Sequence, residues 1–231
     1  MRTKNYLAML AAVLAMAATS ACGGGETAAA ETALPADSDE ESALSLLTDV
    51  ATTQYFTDEA VAEEDVDTIL GAGINAPSAL NGQNWHFSAI TDKEVLEQIA
   101  SDMGAGTAAG TGASDSGALS KAGIADAPLA IVISCASGSE FDAGLACQAM
   151  SSAAILLGYG TKIVSSPTAA LNGSRQDYYR GLLGIPADYS AAAMLLVGYA
   201  DESVDETADG YTGATSRDGA ESIVTYVTPA D

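Results

Sequence analysis

Residues 74–87, I-N-A-P-S-A-L-N-G-Q-N-W-H-F, are the stretch of this sequence that says most about its fold. Pro77 ends the helix predicted before it near Ala76, and residues 85–91 alternate like a strand. Between helix and strand stands a series of uncharged Ser, Asn and Gln side chains. Such hydroxyl and amide groups beside an aromatic residue suit the binding of a flat polar heterocycle.

Helical and strand patterns alternate on both sides of this loop. Asp92 is placed to cap a helix, and continuous apolar runs at 128–135 and 191–199 predict strands that are buried on both faces. The remaining segments predict a strand at 162–165 and helices at 43–53, 63–76, 142–157 and 174–183. They also predict a Gly/Ala/Ser/Thr loop at 104–117 and a short helix or strand at 219–227. This order fits a layered α+β or α/β domain.

The composition excludes several classes of protein. The chain has 231 residues, with 8 Lys and Arg against 31 Asp and Glu, which gives a formal net charge of -23. Nucleic-acid binding needs clustered positive charge and is therefore excluded as a function. The three cysteines include no C-x-x-C pair, so we predict neither a disulfide framework nor a metal site.

The N-terminus predicts export. Arg2 and Lys4 precede thirteen apolar residues at 6–18, which is the length of a signal-peptide core rather than of a membrane span. Small residues then lead into Cys22. The segment resembles a bacterial lipoprotein signal, which implies removal of residues 1–21 and lipidation of Cys22, with the protein anchored to the cell membrane outside the cytoplasm. The alternative is ordinary secretion with a free cysteine.

Three regions follow from these boundaries. Residues 1–21 form the predicted lipoprotein signal peptide. Residues 22–43 contain six acidic residues and no basic one, and are predicted to be a flexible linker. Residues 44–231 form the predicted folded domain, which is long enough for a single core.

The stretch 76–87 resembles the signature A-P-S-x-x-N-x-Q-P-W-x-F of the FMN-dependent nitroreductase family, with Asn84 in place of the proline. The resemblance continues through F-T-D-E-A-V at 56–61, A-P at 127–128, D-A-G at 142–144, G-Y-G-T at 158–161 and L-L-V-G-Y at 195–199. It covers roughly residues 44–227. It implies an α+β fold with a central mixed sheet flanked by helices, bound FMN, oxidoreductase activity and a homodimer.

The resemblance places Ser78, Asn81 and Gln83 among the residues that contact the flavin. The alternative is that this loop uses its Ser and Asn side chains to satisfy its own backbone. No catalytic residue is assigned. We expect His86, the only histidine, to be solvated rather than catalytic, and its neighbours Trp85 and Phe87 to belong to the core.

The sequence departs from the family before Phe56. Family members carry an Arg-Arg-Ser-x-Arg run here that holds the FMN phosphate, whereas this chain has V-A-T-T-Q-Y-F at 50–56, without a positive charge. A phosphate dianion without such partners is expected to bind poorly.

A second motif offers a different way of holding FMN. Residues 209–215, D-G-Y-T-G-A-T, resemble the sequence D-x-x-[ST]-G-A-[ST] to which bacterial flavin transferases attach FMN. The resemblance implies a motif of Asp209, Thr212, Gly213, Ala214 and Thr215, with a phosphodiester to Thr215. Arg217 is then a candidate partner for the remaining phosphate charge. The alternative is an ordinary Gly/Thr turn.

Together these features predict an extracytoplasmic flavoprotein oxidoreductase with covalent FMN. Its expected partners are a flavin transferase for maturation, a quinone or flavoprotein in the membrane as electron donor, and a small-molecule acceptor. The alternative is a non-catalytic binding lipoprotein on a degenerate nitroreductase scaffold, which the missing arginines favour.

Overall fold

The computed structural model describes residues 44, 48, 52–106, 123–203 and 218–227. The elements are α1 (Glu63–Ile74), β1 (Trp85–Ile90), α2 (Lys93–Gly106), β2 (Leu129–Ala136), α3 (Glu140–Leu156), β3 (Gly160–Val164), α4 (Thr168–Leu171), α5 (Gln176–Leu183), β4 (Tyr189–Gly198) and α6 (Ala220–Ile223). A single 3-10 turn, Ala79–Asn81, lies between α1 and β1.

The strands form one sheet in the order β1-β2-β4-β3, and all three pairings are antiparallel. The predicted α+β fold is confirmed. The expectation of a mixed sheet is wrong for the described residues, because no pair of described strands runs parallel. Periodicity identifies strands but not their partners, so the local pattern leaves strand direction undetermined.

Two apolar clusters cover the two faces of the sheet. Helices α1 and α3 pack on one face, where the cluster includes Ile69, Ile133 and Met150. Helices α2, α4 and α5 lie on the other face, where Leu96, Val132 and Tyr179 belong to a second cluster. Strand β2 is buried on both faces from Leu129 to Cys135, which explains its continuous apolar sequence.

Local sequence explains where several elements begin. The backbone N–H of Glu94 donates to Asp92 Oδ1 at 3.0 Å, so Asp92 caps α2 as predicted. Three acidic residues, Glu63, Glu64 and Asp65, occupy the first turn of α1, where the helix dipole favours negative charge.

Within the part of the chain that the structure describes, no helix combines the length and apolar character needed to cross a membrane.

Two sequence-based expectations need adjustment. Thr52 and Thr53 are not helical, so the helix predicted over 43–53 ends before them, and most of that segment lies outside the described residues. Helix α2 continues to Gly106, into a stretch predicted as loop from residue 104.

Candidate flavin-binding loop

Residues 76–84, here called the signature loop, connect α1 to β1 and contain three non-glycine residues in the left-handed region. These are Leu80, Asn81 and Gln83, with φ of 53°, 56° and 48°. A left-handed conformation costs a non-glycine residue about 1–2 kcal/mol. Residues in such conformations persist where surrounding contacts hold them, and they occur preferentially at functional sites.

Two side-chain contacts hold this loop. Asp142, in the first turn of α3 and only 7% exposed, accepts a hydrogen bond at 3.1 Å from the backbone N–H of Ala79. Within the loop, Ser78 Oγ accepts a hydrogen bond at 3.1 Å from the backbone N–H of Gln83. The first contact fixes the loop to α3 and the second closes the loop on itself.

The structure brings the three predicted flavin contacts, Ser78, Asn81 and Gln83, into this one loop. Ser78 is half-buried and stabilises the loop backbone, as the alternative interpretation of that residue expects. Asn81 and Gln83 are exposed, and Gln83 Nε2 makes only a long hydrogen bond of 3.4 Å to the carbonyl of Asn81. The amide groups of Asn81 and Gln83 are therefore accessible to a ligand.

Apolar side chains are exposed around the loop. Leu80 is 103% exposed, Phe141 at the start of α3 is 78% exposed, and Ile74 at the end of α1 is 55% exposed. The contact between Ala79 and Asp142 brings Leu80 and Phe141 to the same end of the domain. This apolar end, made up of Ile74, Leu80 and Phe141, adjoins the accessible amides.

Phe87 packs against the core as predicted, whereas Trp85 is only half-buried and His86 is half-buried rather than fully solvated. Phe87 packs against the cluster under α1 and α3, and its ring stacks at 6.0 Å on that of the half-buried Trp85. His86 is half-buried on the other face, with Nε2 3.4 Å from the carbonyl oxygen of Leu183. Helix α5 covers this side chain, a long-range contact that strand alternation does not predict.

The segment before Phe56 runs along the sheet edge near β3. The backbone N–H of Thr53 donates to the carbonyl of Thr161 at 3.0 Å. Gln54 is 8% exposed, and its Oε1 accepts a hydrogen bond at 2.8 Å from Lys162 Nζ. Burial lowers the pKa of Lys162. Gln54 therefore contacts a neighbouring lysine and does not point into solvent.

The core of the domain contains two cysteines whose burial disfavours reaction. Cys135 and Cys147 are free, buried in the cluster under α3, and 3% and 2% exposed. Burial raises the pKa of both thiols, that of Cys147 to about 12. Thiolate, the reactive form, is accordingly scarce at neutral pH.

The other predicted site residues lie outside the described residues. They are Cys22, Asp209, Thr212, Gly213, Ala214, Thr215 and Arg217. Their roles remain predictions. Sequence reasoning did not assign Asp142 its contact with Ala79, although the D-A-G sequence at 142–144 was part of the family resemblance.

An antiparallel sheet between two helical layers, with a polar loop fixed to α3, defines a protein of the α+β class. The chain belongs to the nitroreductase family, whose sequence model matches residues 51–199. The family and fold predicted from the sequence are thus confirmed.

Relatives cover different amounts of the chain. A Methanothermobacter thermautotrophicus protein, provisionally named NADH dehydrogenase/NAD(P)H nitroreductase, is 30% identical over 155 residues, which are 64% of this chain and 72% of that protein. A protein of the same name from Archaeoglobus fulgidus is 39% identical over 46 residues, 20% of this chain and 26% of that protein. A nitroreductase structure with bound FMN from Desulfitobacterium hafniense superposes with a TM-score of 0.69 at 23% sequence identity. The match spans 80% of this chain and 98% of that protein, and it supports the fold.

Proposed function

We propose that this protein is an FMN-dependent oxidoreductase of the nitroreductase family. The observation that carries the proposal is the signature loop, with strained backbone, accessible Asn81 and Gln83 amides, and attachment to α3 through Asp142. The names of its relatives, among them an NAD(P)H nitroreductase and an FMN reductase from Bacillus subtilis, agree with this class of reaction.

The loop residues fit the ring end of FMN. The side-chain amides of Asn81 and Gln83 each offer a donor and an acceptor, as the polar edge of the isoalloxazine requires. Bound FMN supplies the electron-transfer chemistry. The chain's own contribution is to orient the ring: Asp142 holds Ala79, and Ser78 holds Gln83, so that the two amides keep a fixed spacing.

The phosphate end fits less well in the described residues. The segment 52–57 carries no cation, and Gln54 is buried against Lys162. We propose that a phosphodiester to Thr215 compensates, because a covalent bond keeps the cofactor at high effective concentration without a strong phosphate site. The D-G-Y-T-G-A-T motif at 209–215 and the nearby Arg217 support this proposal.

Retention of the cofactor matters most outside the cell, where a dissociated flavin is lost by dilution. The signal-peptide pattern and Cys22 support an extracytoplasmic lipoprotein. Nicotinamides are not maintained there, so we propose a membrane quinone or a second flavoprotein as electron donor and a small molecule as acceptor. Maturation then requires a flavin transferase.

A homodimer explains the apolar end next to the signature loop. Leu80, Phe141 and Ile74 expose apolar surface, and helix α3 carries no charged residue after Asp142. Exposed apolar surface of this kind marks interaction sites. Phe141→Asp is expected to shift the protein to monomer in light scattering, whereas the control Phe141→Leu is expected to leave the dimer intact.

Peptide mapping tests the attachment. After co-expression with a bacterial flavin transferase, we expect one FMN on Thr215, sharply less in Asp209→Ala, and none on Ser114, whose surrounding sequence G-T-G-A-S lacks the aspartate. A folded protein with no flavin, covalent or dissociable, despite an active transferase would contradict the proposal and support the non-catalytic binding lipoprotein.

A further inference from the structure

The chain contains two Asn-Gly sequences, Asn81-Gly82 in the signature loop and Asn172-Gly173 directly after α4. Asparagine is a thermolabile residue, and a following glycine makes it more so, because glycine has no Cβ to hinder its backbone nitrogen. That nitrogen attacks the side-chain carbonyl carbon of the asparagine, and a cyclic imide forms as ammonia leaves. Water then opens the imide to aspartate or isoaspartate. The surrounding contacts decide whether each pair reacts.

Asn172 is held at both ends of its side-chain amide. Its Nδ2 donates to the carbonyl of Ala191 at 2.9 Å, and its Oδ1 accepts from the backbone N–H of Ala191 at 2.9 Å. Asn172 is an exposed residue, so it is these two hydrogen bonds rather than burial that restrain it. Both must break before its side chain turns towards Gly173.

Asn81 lacks this restraint. It is also exposed, and its side-chain amide makes no hydrogen bond among the described residues. Only its backbone is bonded: its N–H donates to the carbonyl of Ser78 at 3.0 Å, and its carbonyl accepts the long hydrogen bond from Gln83. The side chain of Asn81 is therefore able to rotate towards Gly82 without losing a hydrogen bond.

One backbone hydrogen bond restrains the attacking nitrogen. The N–H of Gly82 donates to the carbonyl of Ala79 at 2.9 Å. Gly173 donates an equivalent hydrogen bond at 3.2 Å, so this restraint is common to both pairs. In the signature loop, Ala79 is itself fixed to α3 by Asp142. Local opening at Gly82 relieves the left-handed conformation of Leu80, and Asp142 therefore controls how often the nitrogen becomes available.

We propose that Asn81 is a site of spontaneous deamidation, and that the reaction inactivates the signature loop for flavin binding. The Gly82 nitrogen bonds to Asn81 Cγ, the Cγ–Nδ2 bond breaks, and the proton of the nitrogen leaves with the ammonia. One water then adds across the imide, so the reaction needs no oxidant or reductant. The product has a carboxylate in place of the amide, and isoaspartate also lengthens the backbone by one methylene. The consequence for flavin rests on the proposed function, in which the Asn81 amide contacts the ring.

Peptide mapping by mass spectrometry tests the site in protein produced without a flavin transferase and incubated without FMN at mildly alkaline pH. Aspartate and isoaspartate should accumulate at Asn81 at least about tenfold faster than at Asn172, where two hydrogen bonds must break. Asp142→Ala removes a hydrogen bond to a charged group, so it should raise the rate at Asn81 by about tenfold and leave the rate at Asn172 unchanged. The matched control Asp177→Ala should change neither rate.

FMN titration separates this consequence from the proposed function itself. Affinity should fall in step with deamidation at Asn81, freshly prepared Asn81→Asp should bind FMN at least about tenfold more weakly than wild type, and saturating FMN should slow the deamidation. The proposal is overturned by equal rates at Asn81 and Asn172, by a rate at Asn81 that Asp142→Ala does not change, or by full FMN affinity in protein deamidated at Asn81. Fresh wild-type protein that binds no FMN would instead contradict the proposed function, and the rates at the two asparagines would still decide the modification site.

Discussion

Asp142→Ala should release the signature loop from α3. The carboxylate is 7% exposed and accepts a hydrogen bond at 3.1 Å from Ala79, 63 residues away in sequence. A hydrogen bond to a charged group contributes about 1.5–3 kcal/mol. A carboxylate in the first turn of a helix adds about 0.3–1 kcal/mol. Because the exposed Ala79 can bond to water once released, we expect a loss near the lower end, about 2 kcal/mol.

The loss should affect flavin binding as well as stability. Without the Asp142 contact, the left-handed backbone of Leu80, Asn81 and Gln83 is free to relax, and FMN must then restore it on binding. Each 1.4 kcal/mol corresponds to a tenfold change in affinity, so about 2 kcal/mol predicts a weakening of roughly 20–30-fold.

Urea unfolding and FMN titration measure the two effects in protein produced without a flavin transferase, so that no covalent bond masks the affinity. Asp177→Ala is the matched control, since Asp177 lies in the first turn of α5 without a hydrogen bond to its side chain among the described residues. The control should change stability by less than 1 kcal/mol and leave FMN affinity unchanged. Equal FMN affinity in Asp142→Ala and wild type would refute the role of Asp142 in holding the loop.

Two further predictions concern packing and pH. A Cβ at Gly73 would lie 2.7 Å from Met150 Cγ, whereas a Cβ at Gly71 on the same helix would have nothing within 4 Å. In urea unfolding, Gly71→Ala should gain about 0.5–1 kcal/mol of stability from helix propensity, and Gly73→Ala should be clearly less stable than Gly71→Ala. Equal stability of the two variants would contradict the close packing of α1 on α3. The hydrogen bond from Tyr179 holds the pKa of Asp102 below its usual value. The stabilisation from this ionised carboxylate is complete above the unfolded-state pKa of about 3.9 and is lost as pH falls through the lower folded-state pKa. The difference in unfolding free energy between wild type and Asp102→Asn should therefore shrink from pH 7 towards pH 3. A difference that stays constant over this range would contradict the prediction.

Much of the fold was predictable because it depends on local patterns. The continuous apolar run of β2, the cap at Asp92 and the nearly uncharged α3 each follow from burial or from one local hydrogen bond. The antiparallel direction of all four described strands was not predicted, since strand direction depends on connections between distant segments.

The motif located the candidate loop, but it did not predict the tertiary contacts and the backbone conformation of the loop. The contact from Asp142 to Ala79 and the covering of His86 by α5 join residues far apart in the chain. The left-handed conformation of Leu80 was equally hidden, because an apolar γ-branched residue gives no local sign of positive φ. Such features arise when tertiary contacts override local preference.

The central claim is that this protein carries FMN and holds it by a covalent bond to Thr215. The most direct test is the visible absorbance spectrum of protein produced with a flavin transferase, recorded before and after precipitation with acid. We predict a flavin spectrum in the native protein that stays entirely with the redissolved pellet. A colourless native protein would contradict the flavoprotein assignment, and flavin released into the supernatant would contradict the covalent attachment.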